Sequence, residues 1–207
     1  LTSKIQNEFN QKIVLTRLKL LHPEKGSPHN SLSMQTKILA VSGSLRENSS
    51  TQHILNNLKS WASPDVEIIV YTSLAELPHF NDAANPPAAV HMWRRQLAEA
   101  NAVLLCTPEY AFGVPGSLKN ALDWTVSSGD FVDKPVAVIT AATQGDKAHA
   151  SLLLTLSALS AKLSEKTNLL IPFIRARIQE DGNIKDAETI KALQGVLYAL
   201  IKSAATL

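Results

Sequence analysis

The chain has 207 residues, 45% hydrophobic and 18% charged, with a formal net charge of +2. That length and balance describe one α/β core of ordinary polarity. Lysines and arginines are scattered, which argues against a nucleic-acid-binding face, and no stretch is apolar enough to insert in a membrane.

Residues 1–33 stand apart from the rest of the chain. They lack the long apolar core of a signal peptide. Residues 13–21 have the spacing of one or two helical turns, broken by His22-Pro23 and Gly26-Ser27-Pro28. Met34 directly precedes the first apolar run, so 1–33 is expected to be an extension, disordered or not native, ahead of a domain over 34–207. The competing expectation is an arm that packs on a partner subunit.

Residues 37–42 read as the first strand, followed by Gly43-Ser44-Leu45-Arg46-Glu47-Asn48-Ser49-Ser50-Thr51. Three hydroxyl residues ahead of Ile54, Leu55 and Leu58 predict a helix starting near 49–51. A strand, a hydroxyl-rich turn with one arginine and a helix N-terminus make an anion site, because free N–H groups and the helix dipole favour phosphate. A plain β–α turn whose hydroxyls only cap the helix is the alternative.

Residues 66–71, rich in β-branched side chains, read as the second strand. A proline-containing loop over 74–87 and a helix over 88–100 come next. His79, beside Phe80, reads as a solvated loop histidine. The run 102–107 is the third strand, wholly apolar up to Thr107 and carrying Cys106, the single cysteine. That excludes an internal disulfide, fits a cytoplasmic setting and predicts a packed, inert thiol.

The next loop is Pro108-Glu109-Tyr110-Ala111-Phe112-Gly113-Val114-Pro115-Gly116, rigid from its prolines and carrying a carboxylate and two aromatics. Leu118, Ala121, Leu122 and Val126 then mark a helix. Trp124 and Leu122 are expected to pack it, with Lys119 facing solvent. Glu109 and Asp123 are too far apart along the chain to read as an acid/base pair, and Glu109 is expected to order its loop through backbone N–H bonds. In open α/β sheets a ligand sits outside such strand ends, so the chemistry is expected here.

The fourth strand is predicted over 136–139, a helix over 147–162, the fifth strand over 168–173, a turn at Gly182-Asn183 and a closing helix over 187–203. Strands alternating with helices imply a parallel sheet covered on both faces. Between His149 and Ala161 no residue is charged. Leu152, Leu156, Leu159 and Leu163 form one stripe, but Leu153 and Leu154 lie off it. Such a helix suits a subunit interface, and a homodimer or homotetramer through residues 151–163 is expected. The six histidines have no metal-ligand spacing, and no metal site is expected.

Gly43-Ser44-Leu45-Arg46 with Ser49 and Thr51, followed by Pro108-Glu109-Tyr110 and Leu118-Lys119-Asn120-Ala121-Leu122-Asp123-Trp124, resembles the NAD(P)H-dependent FMN reductases, a family that includes quinone, chromate and azo-dye reductases. The resemblance runs from about Lys37 to the C-terminus. It implies a flavodoxin-like three-layer sandwich with a five-stranded parallel sheet in the order 2-1-3-4-5. It implies FMN as cofactor, NADPH or NADH as donor, and a small-molecule electron acceptor served by ping-pong hydride transfer at the flavin N5. Carried over by residue, Ser44, Arg46, Ser49, Ser50 and Thr51 match the FMN phosphate loop. Pro108, Glu109, Tyr110, Ala111 and Phe112 match the loop along the flavin ring, and Thr143 and Gly145 the loop after the fourth strand. Thr51 stands where Asn is usual, Ala111 replaces an Asn, and Ala148-His149 replaces a Gly-Gly pair. An electron shuttle without a hydride-donor site and a flavin-free binding module are the alternatives.

Overall fold

The computed structural model describes residues 35–206. The extension over 1–33, with the helical turns expected at 13–21, lies outside the described residues. Five parallel strands form one sheet: β1 (Thr36–Ser42), β2 (Val66–Tyr71), β3 (Ala102–Thr107), β4 (Val136–Ala142) and β5 (Asn168–Pro172), in the spatial order β2-β1-β3-β4-β5. The helices are α1 (Ser50–Trp61), α2 (Ala88–Glu99), α3 (Gly116–Asp123), α4 (Asp146–Ala158) and α5 (Ala187–Ala204). This is the flavodoxin-like order that the resemblance implied.

The period-two alternation of each central strand divides the interior into two cores. Ile38 and Ala40 of β1, Ala102, Leu104 and Cys106 of β3, and Ala137, Ile139 and Ala141 of β4 face α1 and α5. Leu39, Val41, Val103, Leu105, Val136 and Val138 face α2, α3 and α4. Helix α1 buries Ile54, Leu55 and Leu58 completely, each contributing about 1.5–3 kcal/mol of apolar burial. Its fold-back onto the sheet follows from spacing: those three residues fall on one face, and Ser49 caps the N-terminus by accepting from the Gln52 N–H. Cys106 is fully buried, and burial pushes its thiol far above the ordinary range, in line with the inert thiol expected.

Several boundaries differ from the sequence expectation. Strand β4 continues past Ile139 to Ala142, because Thr140, Ala141 and Ala142 find register partners in Leu170, Ile171 and Pro172 of β5. β5 stops at Pro172, and Phe173 leaves it with φ 53°. Helix α3 ends at Asp123, so Val126 falls outside it and is 64% exposed. Helix α4 ends at Ala158 rather than near 162. Ser160 turns left-handed with φ 59°, and the Ala161 N–H donates to the Leu156 carbonyl, as in a Schellman stop. Leu163 is therefore outside the helix, while Leu152 and Leu156 are core residues and Leu154 is 75% exposed.

The order β2-β1-β3 reverses the direction of winding between β1 and β3. At that point the connections leave in opposite directions and open a crevice at the carboxyl ends of the strands. No helix among the described residues is long and apolar enough to cross a membrane.

Candidate active site

A cavity of about 270 Å³ lies at this strand edge. It is lined by Ser44, Arg46, Ser49, Ser50, Thr51, Pro108, Glu109, Tyr110 and Thr143, together with Ala141, Ala142 and residues 173–176. The structure therefore gathers nine of the sequence-predicted site residues into one wall. Ala111, Phe112 and Gly145 stand outside that lining.

The turn after β1 is held by its own hydroxyls. Ser42 and Thr51 share a hydrogen bond of 2.8 Å, and Ser49 and Thr51 one of 3.0 Å. The Ser42 hydroxyl donates to the Ser44 carbonyl at 3.1 Å, and the Arg46 N–H donates to the Ser44 Oγ at 3.2 Å. Ser44, Ser49 and Thr51 are buried and Arg46 is exposed. Thr51 thus braces the turn with its side chain, while Ser44, Ser50 and Arg46 line the cavity beside it. Ser42, which the sequence reading did not single out, is the hub of this network. Its signal was a hydroxyl at the last position of an otherwise apolar strand.

The loop after β3 is shaped by backbone conformation. Tyr110 and Gly113 exchange N–H···O bonds of 3.0 and 2.9 Å around Ala111 (φ 48°) and Phe112 (φ 58°). Two successive positive φ values make this a type I′ turn, a shape that favours Asn-Gly. Here Ala and Phe adopt it, with the Phe112 side chain 73% exposed. The turn aims Phe112 away from the cavity and leaves Pro108 and Tyr110 as its wall. The Tyr110 hydroxyl lies 3.2 Å from Ser44 Oγ and ties the two loops together.

Glu109 does order backbone N–H groups, but those of another element. Its carboxylate accepts from the Gly145 N–H at 3.3 Å and the Ala148 N–H at 2.9 Å, capping the first turn of α4. Gly145 at φ 98° is packed against Leu170, Thr140 and Ala142 and shapes that turn from behind the lining. Asp123 pairs instead with Lys119 at 2.6 Å on a partly exposed face, so the two carboxylates form no acid/base couple. Trp124 is buried and donates through Nε1 to the Pro78 carbonyl, and Leu122 is wholly buried, as expected of packing residues. His79 is exposed.

The segment 173–176 was missed. It follows β5 and contributes Phe173, Ile174, Arg175 and Ala176 to the cavity. The strand-end rule that located the other loops applies equally to β5. No hydroxyl or glycine signature marks that stretch of the chain, however. Among the described residues no group of three His, Cys, Asp or Glu side chains is arranged to hold a metal ion.

The cavity thus combines hydroxyls and two arginines, Arg46 and Arg175, with the apolar surfaces of Pro108, Tyr110, Ala141, Ala142 and Phe173. That donor set fits a ligand with an anionic tail and a planar, partly apolar head.

Residues 36–174 match the model of the family described as NADPH-dependent FMN reductase. The chain is 28% identical to a quinone reductase of Escherichia coli (strain K12), over 81% of this chain and 95% of that one. It is 32% identical to a 2-hydroxy-1,4-benzoquinone reductase of Burkholderia sp, over 78% of this chain and 92% of that one. Among solved structures it is similar to FerB, a flavoenzyme NAD(P)H:(acceptor) oxidoreductase from Paracoccus denitrificans, with 27% identity and a TM-score of 0.74 over 83% of this chain and 98% of that one. The chain belongs to the NADPH-dependent FMN reductase family and is an NAD(P)H-dependent oxidoreductase of the quinone-reductase type.

Proposed function

We propose that residues 34–207 bind FMN in the cavity at the β1/β3 strand ends and pass electron pairs from NADPH or NADH to small acceptors. Quinones, azo compounds, metal oxyanions and free flavin are the acceptor classes in view. The observation that carries this reading is the single cavity joining the Ser44–Arg46–Ser49 turn to the Pro108–Tyr110 loop. FMN, when bound, supplies the hydride chemistry, and the protein needs no acid or base of its own for it.

Each loop has a distinct task. Ser44, Ser50 and the first N–H groups of α1 hold a phosphate, with Arg46 adding a charge-assisted bond. Pro108 and Tyr110 orient the ring, and Thr143 meets its far edge. Ala111 and Gly145 act from behind, setting the course of the two loops, while Phe112 lies at the solvent side where a nicotinamide or acceptor arrives. An open ring face serving donor and acceptor in turn gives ping-pong kinetics and broad acceptor use.

The test is the visible spectrum of purified protein before and after anaerobic NADPH, with NADH in parallel. Flavin bands that bleach support the reductase and reveal the preferred donor. Bands that stay mark an electron shuttle, and a colourless protein that cannot be reconstituted with FMN ends the flavin reading.

The assembly expected is a homodimer, or a homotetramer, built through α4. Leu154, Val126 and Val132 are 75%, 64% and 55% exposed. They line a groove of about 510 Å³ together with Leu122, Ala158 and Leu159. A groove with three exposed apolar side chains beside the uncharged stretch 150–158 of α4, rimmed by the Lys119–Asp123 pair, suits a two-fold contact in which each copy presents the same patch. Light scattering at micromolar concentration is expected to give a dimer or tetramer, and Leu154→Glu to give monomers. A cytoplasmic setting accords with the lone buried thiol.

A further inference from the structure

The turn Ile174–Arg177 that follows β5 carries two arginines with different surroundings. Arg177 is engaged within the fold: its Nη1 donates to Asp186 Oδ2 at 3.1 Å and to Thr189 Oγ1 at 2.9 Å, at the N-terminus of α5. Arg175 lines the cavity, is exposed, and among the described residues has no carboxylate within ion-pair distance. Ile174 between them is 2% exposed and packs in the same core as Ile54 and Leu55 of α1. The turn is therefore anchored in the core that α1 and α5 cover. The Phe173 N–H, bonded to the Thr143 carbonyl at 3.3 Å, fastens the same turn to the loop after β4.

We infer that Arg175 is a second phosphate-binding cation of this cavity, holding the FMN phosphate jointly with Arg46. The inference rests on the flavin reading above and adds to it a residue from the turn after a different strand. Charge accounting favours it. A phosphate monoester carries about −1.5 to −2 near neutral pH. Arg46 and the helix terminus supply about +1 and +0.5, which matches only the lower end of that range, and a second cation covers the fully ionised dianion. Among the described residues the one carboxylate in the lining, Glu109, turns its oxygens to the Gly145 and Ala148 N–H groups and does not compete for Arg175.

The experiment titrates apoprotein with FMN and with riboflavin, which lacks the phosphate, following quenching of flavin fluorescence. It compares wild type, Arg175→Ala and Arg175→Lys. Arg175→Ala is expected to weaken FMN about tenfold and leave riboflavin unchanged, with Arg175→Lys recovering most of the loss. Unchanged FMN affinity in Arg175→Ala overturns the inference while leaving the flavin reading intact. So does an equal loss for both flavins, which marks a wall residue rather than a phosphate ligand. A raised KM for NADPH but not NADH, with FMN affinity unchanged, assigns Arg175 to the dinucleotide phosphate and also overturns it. Wild-type protein that binds neither flavin overturns both readings together.

Discussion

The loops after β1 and β3 lie side by side at the same sheet edge, yet they are held in opposite ways. The first is a chain of buried hydroxyls, in which Thr51 bonds both Ser42 and Ser49 and stiffens the turn. The second has few such bonds. It takes its shape from a strained type I′ turn at Ala111 and Phe112, and its position from Glu109 reaching across to α4. A polar grip gains from preorganised donors, because reorganisation at binding costs affinity. An apolar wall needs only to be held in place, so Tyr110 stays 46% exposed, and Phe112 beside it, outside the wall, is 73% exposed.

The largest effect expected from breaking this contrast is at Gly43, where the first loop passes the end of β3. A Cβ there meets Thr107 Oγ1 at 2.7 Å and Leu118 Cδ2 at 3.1 Å. Thr107 is wholly buried and has nowhere to move. Gly43→Ala is expected to cost about 1–3 kcal/mol in urea unfolding, since overpacking shifts both loops at once.

Next comes the support of the second loop. Glu109→Ala strips two N–H groups at the start of α4 of their acceptor and is expected to cost about 1–2 kcal/mol. Glu109→Gln, which keeps one acceptor oxygen, is expected to lose roughly half as much. A loss confined to the first-loop residues in hydrogen exchange, rather than residues 108–113 and 145–149, contradicts this assignment.

Ala111→Gly tests the strain directly. Glycine adopts φ 48° without a Cβ penalty, so the variant is expected to gain about 0.5 kcal/mol after its extra chain entropy is counted. No gain means that the turn is relaxed and that the second loop stores no strain.

The smallest effect is a pH slope at His149, on the first turn of the same α4. Burial holds its imidazole below the ordinary value of 6.5, and its Nδ1 lies 2.9 Å from Thr140 Oγ1. Above 6.5 both folded and unfolded chains hold it neutral. As pH falls through 6.5 towards the lower folded value, the unfolded chain takes the proton first and stability declines. Denaturation midpoints measured down from pH 7 are expected to fall less in His149→Gln than in wild type. The carboxylates of Asp181 and Asp186, held low by hydrogen bonds, lose their contribution only at more acid pH.

The strands, the two motif loops and the division into two cores could be read from the chain, because each is written in local spacing. Runs of alternating or continuous apolar residues mark strands, and hydroxyls ahead of Ile54, Leu55 and Leu58 mark the start of α1. The length of β4 could not, since Thr140, Ala141 and Ala142 remain extended only because β5 pairs with them. Nor could the stop of α4, where Ser160 adopts a left-handed conformation without a glycine to announce it.

By itself, the sequence determined that this is a βα-alternating chain with a hydroxyl-rich turn carrying one arginine and an aromatic loop, since those features depend on residues adjacent in the chain. Tertiary structure decided which of them share a wall. It sent Phe112 outward, made Glu109 the cap of a helix that begins 37 residues later at Asp146, and brought Arg175, in the turn after β5, to the cavity of β1 and β3. The physical reason is that a cavity is bounded by groups meeting across the sheet edge. Those meetings are set by strand order and by the anchoring of Ile174 in the core, neither of which is encoded in local spacing.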